Sequence, residues 1–204
     1  MNISPINHFL AKQSRHTRRA VLVAVLCAFG AAVFILAVFA SSALAATTNL
    51  VKNGSFEKDS EGGGIPNHWG FPDNLQITDK RVCNQSKSGS CSFLIVGDGL
   101  TKGLSQRISV SGFEGDEVYV TAWAKGKYFR LDGGTGQLRV LFNHTDGSSN
   151  EKFVYVPYGT FPWSFLQGTA VAGENYDSID IGVYSYNADG GKVWFDKVKL
   201  VEVP

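Results

Sequence analysis

Residues 117–125 of this 204-residue chain read Glu-Val-Tyr-Val-Thr-Ala-Trp-Ala-Lys, and this stretch decides the fold class. Small aliphatic residues at positions 118, 120, 122 and 124 alternate with larger side chains at positions 119, 121, 123 and 125. An alternation with period two is typical of a β-strand that buries one face. The aliphatic row is therefore the expected core face, and Tyr119 and Trp123 are expected on the outer face.

Similar alternation continues along the chain after residue 45, interrupted by turn-forming Gly, Asn, Asp and Ser and without a run at helical spacing. About ten short strands in one domain favour an all-β fold, a jelly-roll β-sandwich of two antiparallel sheets. The predicted strands are Leu50–Glu57, Leu75–Cys83, Cys91–Val96, Leu104–Val110, Glu117–Lys125, Gln137–Asn143, Lys152–Pro157, Ser164–Val171, Ser178–Tyr186 and Lys192–Val201.

In three of these strands the row opposite the aliphatic one mixes aromatic and polar side chains. Arg139 lies in such a row of one strand, and Tyr184 and Tyr186 lie in that of another. Together with Tyr119 and Trp123 they are expected to share one open face of the sandwich. Function is to be sought on that face.

Several motifs resemble those of the bacterial carbohydrate-binding modules of family 4/9, also called CenC-like, which have a galactose-binding-like fold. The opening N-L-V-K-N-G-S-F-E of Asn49–Glu57 and the closing V-W-F-D-K-V-K-L of Val193–Leu200 carry most of the likeness. Pro66–Trp69, Ser88–Ser92 and Val118–Gly126 resemble internal motifs. The resemblance covers about residues 49–201, and it implies a β-sandwich that binds a glycan.

The family likeness implies non-catalytic binding of a polysaccharide or oligosaccharide. A sugar ring presents a C–H face to an aromatic side chain and hydroxyl groups at its rim. The predicted binding residues are Tyr119, Trp123, Arg139, Tyr184 and Tyr186. An alternative is a structural or adhesion module of the cell envelope that does not bind sugar.

The same resemblance implies a structural calcium ion. Asp196 matches the aspartate that commonly binds calcium in the family, and Glu57 lies in the opening segment that would neighbour it. Lys197 replaces the second acidic residue of the motif, which lowers the local negative charge. The alternative role for Asp196 is to accept hydrogen bonds from a neighbouring turn.

The first 45 residues have the features of a targeting segment. Lys12, Arg15, Arg18 and Arg19 precede the apolar run Ala20–Ala40, and Ala43-Leu44-Ala45 follows it. This pattern is typical of a signal peptide, but the run is also long enough for an uncleaved membrane anchor. Both interpretations export residues 46–204 as one domain, secreted or facing the outside, with membrane contact only through the first segment.

Cys83 and Cys91 are the two cysteines of the exported part, and a polar stretch separates them. An even number of cysteines in an oxidising compartment predicts a disulfide, here across a hairpin. A thiol nucleophile is the alternative, but no histidine lies near either residue in sequence.

Charge and motifs argue against two other classes of function. The chain has 19 Lys and Arg against 18 Asp and Glu, so no excess of positive charge points to nucleic acid, and an uncharged or mixed partner is expected. A glycosidase needs two carboxylates that flank the glycosidic bond to be cleaved. No Asp or Glu of this sequence stands in a recognisable catalytic motif. His68 and His144 also lack a catalytic context, so an enzyme is not expected.

Overall fold

The computed structural model describes residues 48–130 and 134–204, and the predicted targeting segment lies outside them. The described residues contain ten strands and no α-helix. None of this part of the chain therefore provides a helix with the length and hydropathy of a membrane crossing. The strands are β1 (Gly70–Asp73), β2 (Lys80–Val82), β3 (Ser92–Val96), β4 (Lys102–Ile108), β5 (Glu117–Arg130), β6 (Thr135–His144), β7 (Ser149–Tyr155), β8 (Gly159–Val171), β9 (Tyr176–Tyr186) and β10 (Gly190–Glu202).

The strands form two five-stranded antiparallel sheets. Sheet A has the order β1-β4-β9-β6-β7, and sheet B has the order β2-β3-β10-β5-β8. The aliphatic rows of the long strands are fully buried and supply the core, as Val120 of β5, Val140 of β6 and Ile181 of β9 illustrate. The alternation therefore predicts the inner face of each strand correctly, and the all-β jelly-roll sandwich is confirmed.

Three segments differ from the predicted strands, and of one of them, Leu75–Cys83, only Lys80–Val82 forms a strand. Residues 50–57 form turns and irregular backbone, because Asn53 and Phe56 have φ angles of 51° and 58°, a conformation that does not continue a strand. The tenth strand is instead β1, which pairs with β4 at the edge of sheet A. Its Pro72 argues against a central strand but is compatible with an edge.

The opening segment packs against the closing strand. Oδ1 of Asn49 accepts a hydrogen bond of 3.0 Å from the backbone N–H of Leu200, and the N–H of Val198 donates to the carbonyl of Gly54 at 2.8 Å. A Cβ atom on Gly54 would lie 2.0 Å from the carbonyl oxygen of Val198. Glycine is therefore required at this position, and the first and last motifs of the sequence form one structural unit.

A disulfide joins Cys83 and Cys91, as predicted. Val82 at the end of β2 pairs with Ser92 at the start of β3, so the bond closes the hairpin between these strands. The loop of residues 84–90, called the disulfide loop below, folds over the outer face of sheet B. Nζ of Lys125 on that face donates to Oε1 of Gln85 in the loop at 2.7 Å.

A buried ion pair joins the two sheets at one end. Lys102 at the start of β4 is fully buried, and its Nζ lies 2.8 Å from Oδ2 of the fully buried Asp79 and 2.8 Å from Oδ2 of Asp98. Asp79 also accepts a hydrogen bond of 2.7 Å from the N–H of Val96 at the end of β3. The pair therefore connects sheet A with sheet B.

Candidate functional site

The structure distributes the five predicted sugar-binding residues over two opposite faces. Tyr119 and Trp123 lie on β5, on the outer face of sheet B, whereas Arg139, Tyr184 and Tyr186 lie on β6 and β9, on the outer face of sheet A. The prediction of one shared face is therefore wrong. The alternation of a strand separates inner from outer side chains, but it does not indicate which sheet the strand joins.

Two glycines lie beneath the ring of Tyr184 on the outer face of sheet A. A Cβ atom on Gly103 would lie 2.1 Å from Cδ1 of the ring, and one on Gly182 would lie 2.4 Å from Cε2. Gly103 is the β4 partner of Tyr184, and Gly182 precedes it by two residues on β9. Without side chains at these positions, the ring lies low across the sheet and presents a flat apolar surface outwards.

Two arginines lie on this outer face, and each is paired with a carboxylate. The guanidinium of Arg139 lies 5.5 Å from the centre of the Tyr184 ring, and its Nε lies 2.9 Å from Oε2 of Glu151. Arg107 donates two hydrogen bonds of 2.8 and 2.7 Å to Asp180, and this pairing raises the pKa of Arg107. The charges on this part of sheet A are therefore compensated within the protein.

Tyr155 adds a second ring to the same face. The register pairs Tyr184 with Gln137, and Gln137 with Tyr155 on the edge strand β7. Tyr155 is 56% exposed, and two strand spacings place it roughly 10 Å from Tyr184. The alternation predicts that Tyr155 lies in a strand, but only the register reveals its position beside Tyr184.

Polar groups and a third ring lie on the same outer face. Nε of Arg139 faces Glu151, while Nδ2 of Asn143 is buried without a hydrogen-bond partner among the described residues. Asn143 lies six residues further along β6 than Gln137, the partner of Tyr184. Tyr186 is 49% exposed at the end of β9. A shallow hollow of about 50 Å³ lies between Arg139 and Tyr184. This face therefore offers flat rings beside the guanidinium of Arg139, and we call it the tyrosine face.

The outer face of sheet B has a different character. Trp123 packs against Phe165 of β8 with 5.2 Å between ring centres, and Nζ of Lys87 in the disulfide loop lies 3.8 Å from the centre of the Trp123 ring. The hydroxyl of Tyr119 donates to Oε1 of Gln167. Trp123 and Tyr119 both line a hollow of about 410 Å³.

Asp196 and Glu57, the predicted calcium ligands, lie close together beneath the disulfide loop. The N–H groups of Lys87 and Ser88 donate to Oδ2 of the fully buried Asp196 at 2.7 and 3.2 Å, and that of Lys197 donates to Oδ1 at 2.7 Å. Burial raises the pKa of Asp196, and the charge of Glu57 raises it further.

The two carboxylates do not by themselves form a cation cage. Oε1 of Glu57 accepts hydrogen bonds from the N–H groups of Ser90 and Cys91, while Oε2 accepts none from the described residues. Within residues 48–130 and 134–204 no three His, Cys, Asp or Glu residues cluster as a metal site. A calcium ion, which takes six to eight oxygen ligands, would need Oε2 of Glu57 together with backbone carbonyls.

His144 has a structural environment. Its Nδ1 lies 2.8 Å from Oγ of Ser148, its Nε2 lies 2.6 Å from Oδ1 of Asn150, and the side chain is buried at a strand end. Both ring nitrogens of His144 are therefore hydrogen-bonded to residues at the start of β7 and in the turn before it.

Comparison with known proteins identifies the fold. No family model and no curated protein matches the chain. A solved "Family 16 Carbohydrate Binding Module-2" superposes with a TM-score of 0.57 at 16% identity, covering 76% of this chain and 100% of that one. A family 61 module in complex with β-1,4-galactotriose gives 0.52 at 17%, covering 77% and 100%. The CBM22-1 xylan-binding domain from Paenibacillus barcinonensis gives 0.56 at 16%, covering 78% and 96%. Likeness at this identity confirms the jelly-roll sandwich.

Proposed function

We propose that this protein is a non-catalytic module that binds an uncharged polysaccharide or oligosaccharide on the tyrosine face. The observation that carries the proposal is the ring of Tyr184, which lies flat over Gly103 and Gly182. An aromatic ring held parallel to a sheet stacks on the C–H face of a sugar. Solved neighbours described as binding xylan or galactotriose support the proposal.

The expected affinity follows from the area that stacking removes from water. A sugar ring that covers about 60 Å² of an aromatic side chain contributes roughly 1.5 kcal/mol. Tyr184 and Tyr155 provide two such surfaces, and the cost of association offsets part of their contribution. Binding in the micromolar to millimolar range is therefore expected.

Affinity electrophoresis through xylan, galactan, mannan and β-glucan tests this function. We expect retardation by at least one of these polymers, and a roughly tenfold loss of affinity in Tyr184→Ala, since 1.4 kcal/mol corresponds to tenfold. Tyr158→Ala is the matched control, because Tyr158 is 70% exposed but lies in the turn between β7 and β8.

A folded protein that none of the four polymers retards would refute the function and favour a structural or adhesion module of the cell envelope. Equal loss in Tyr184→Ala and Tyr158→Ala would instead place the sugar elsewhere. Release of reducing sugar from any polymer would show catalysis.

We propose membership of carbohydrate-binding module family 4/9 as the finer assignment. The contact between the opening segment and β10 supports it, since Asn49 and Gly54 of the first motif bond to Leu200 and Val198 of the last. Replacing Gly54 with Ala is expected to destabilise the fold, because both motifs depend on this close approach.

A structural calcium ion between Glu57 and Asp196 is also proposed. Two neighbouring carboxylates, one of them fully buried, repel each other, and a divalent cation would relieve that repulsion. Thermal unfolding in calcium chloride is expected to occur at higher temperature than in EDTA. The same melting temperature in calcium chloride and in EDTA would mean that backbone N–H groups alone stabilise the carboxylates of Glu57 and Asp196, and it would refute the calcium site.

Export of residues 46–204 is proposed from the targeting segment and is supported by the disulfide, because such bonds persist in oxidising compartments. Fractionation of cells that express the full chain tests this, and the size of the exported protein distinguishes a cleaved signal peptide from a retained anchor.

A further inference from the structure

The outer face of sheet B collects lysines from separate parts of the sequence. Two hollows of about 610 and 410 Å³ lie on this face. No acidic residue is among the described residues that line them. We call this surface the lysine face; its lysines are Lys125, Lys127, Lys192, Lys197 and Lys199.

Two of these lysines oppose each other directly. Lys127 of β5 and Lys192 of β10 are cross-strand partners, and both side chains are exposed. Like charges in this position destabilise a sheet. No lysine of this face forms an ion pair with a carboxylate of the described residues. Arg107 and Arg139 on the tyrosine face, by contrast, both have carboxylate partners.

Aromatic rings lie between the lysines. Tyr128 is 69% exposed beside the larger hollow, and Trp123 and Phe165 line the smaller one. Nζ of Lys127 lies 5.8 Å from the centre of the Tyr128 ring. A ligand that matches this surface carries negative charges at intervals and presents flat rings between them.

We propose that the lysine face binds an acidic polysaccharide, with carboxylate or sulfate groups on its sugar rings, as a second site separate from the tyrosine face. The anionic groups pair with ammonium groups that have no carboxylate partner among the described residues, and the sugar rings stack on the aromatic side chains. An exported protein meets such chains outside the cell, so this inference rests on the proposed export. It does not depend on neutral-sugar binding by Tyr184.

The test measures binding of the full chain to polygalacturonate and to dextran sulfate, with galactan and dextran as the uncharged counterparts. We expect binding to at least one acidic polymer, and at least a tenfold loss in the double variant Lys127→Gln/Lys192→Gln. Because that variant removes two opposed like charges, its melting temperature should equal or exceed that of the unmodified protein.

A control variant separates the lysine face from general charge effects. Lys52→Gln/Lys152→Gln removes the same two charges from exposed positions that line neither hollow, and it should retain acidic-polymer binding. Equal losses in both variants would overturn the proposal, as would failure to bind either acidic polymer.

Ring-free and lipid polyanions complete the test. Polyphosphate has negative charges without sugar rings, so the protein should bind it more weakly than polygalacturonate at the same charge concentration and salt. Equal or tighter binding to polyphosphate, to single-stranded DNA or to phosphatidylserine vesicles would assign the lysine face to another polyanion. Galactan binding should be the same in Lys127→Gln/Lys192→Gln as in the unmodified protein. Binding of neutral glycan on the tyrosine face would then stand even if acidic-polymer binding on the lysine face were refuted.

Discussion

The outer face of sheet A depends on two residues that have no side chain. Gly103 and Gly182 leave the space in which the Tyr184 ring lies. Neither residue has a positive φ angle, so the requirement for glycine comes from the ring above it. A methyl group at either position would lift the ring away from the sheet.

Gly103→Ala should therefore weaken binding of a neutral glycan about as strongly as Tyr184→Ala, roughly tenfold, while the protein remains folded. The new methyl group would meet the ring of a flexible, partly exposed side chain. Isothermal titration and circular dichroism measure the two effects. Gly63→Ala is the control, because its Cβ would have no neighbour within 4 Å. Unchanged affinity in Gly103→Ala would refute the role of the Tyr184 ring as a stacking surface.

Lys102 is essential to the stability of the fold. Lys102→Ala would leave the fully buried Asp79 without its cation, and breaking a buried pair costs about 3–5 kcal/mol. Urea unfolding should show this loss, whereas Lys152→Ala at an exposed position should change stability by less than about 0.5 kcal/mol. A similar small effect in both variants would show that the pair contributes little.

The contribution of Asp196 to the free energy of unfolding should decrease as pH rises. Burial and the charge of Glu57 raise its pKa in the folded protein above the ordinary value of 3.8. Its contribution is therefore fully present below pH 3.8 and decreases as pH rises through the folded pKa. Asp146 acts oppositely, because its hydrogen bonds with Ser148 lower its pKa.

The difference between the unmodified protein and Asp196→Asn, in EDTA, isolates this contribution. The free energy of unfolding measured with urea should decline more steeply above pH 3.8 in the unmodified protein, since the amide does not ionise. Parallel curves would contradict the assignment. Calcium, if bound, should remove the difference in slope, because it stabilises the charged form.

Among the structural elements, the disulfide loop connects stability with the lysine face. It supplies the N–H groups that bond to Asp196, and its Lys87 stacks on Trp123. It also contributes Asn84 and Gln85 to the larger hollow. A change in this loop should therefore alter sheet B and leave the tyrosine face unaffected.

Replacing Cys83 and Cys91 with serine should lower the free energy of unfolding by roughly 2.5 kcal/mol on the chain-entropy estimate. It should also weaken acidic-polymer binding, because the loop becomes less ordered, while neutral-glycan binding stays constant at temperatures where the protein is folded. Urea unfolding and titration with both polymers measure this. Equal loss at both faces would mean that the bond supports the whole sandwich.

At the scale of the whole molecule, the sandwich places two chemically different surfaces back to back. Arg107 and Arg139 of the tyrosine face pair with carboxylates, whereas the lysines of the lysine face pair with no carboxylate in the described part of the chain. The core between them separates the two surfaces. Binding at both proposed sites would let one module link two glycans.

Saturation with a neutral oligosaccharide that binds the tyrosine face should leave the affinity for an acidic polysaccharide unchanged. Because the sites lie on opposite sheets, neither ligand obstructs the other. Titration of the acidic polymer with and without the oligosaccharide measures this, with intrinsic tyrosine and tryptophan fluorescence as the readout. Competition between the ligands would show that they share one surface.

Local patterns in the sequence determine much of this molecule. The alternation in residues 117–125 identifies the buried rows, because side chains of a strand point to opposite sides at every second residue. The spacing of Cys83 and Cys91 identifies the disulfide for a similarly local reason. Residues 50–57 are one exception: their backbone conformation depends on the distant contact with β10 rather than on the alternation.

Only the tertiary structure decides which outer rows share a face. Tyr119 and Tyr184 follow the same alternation, yet β5 and β9 belong to different sheets, since strand order depends on long-range pairing. The same pairing places Gly103 beneath Tyr184 and Lys192 opposite Lys127. The sequence by itself therefore determines the β-sandwich and its core, while the two surfaces arise from contacts between residues distant along the chain.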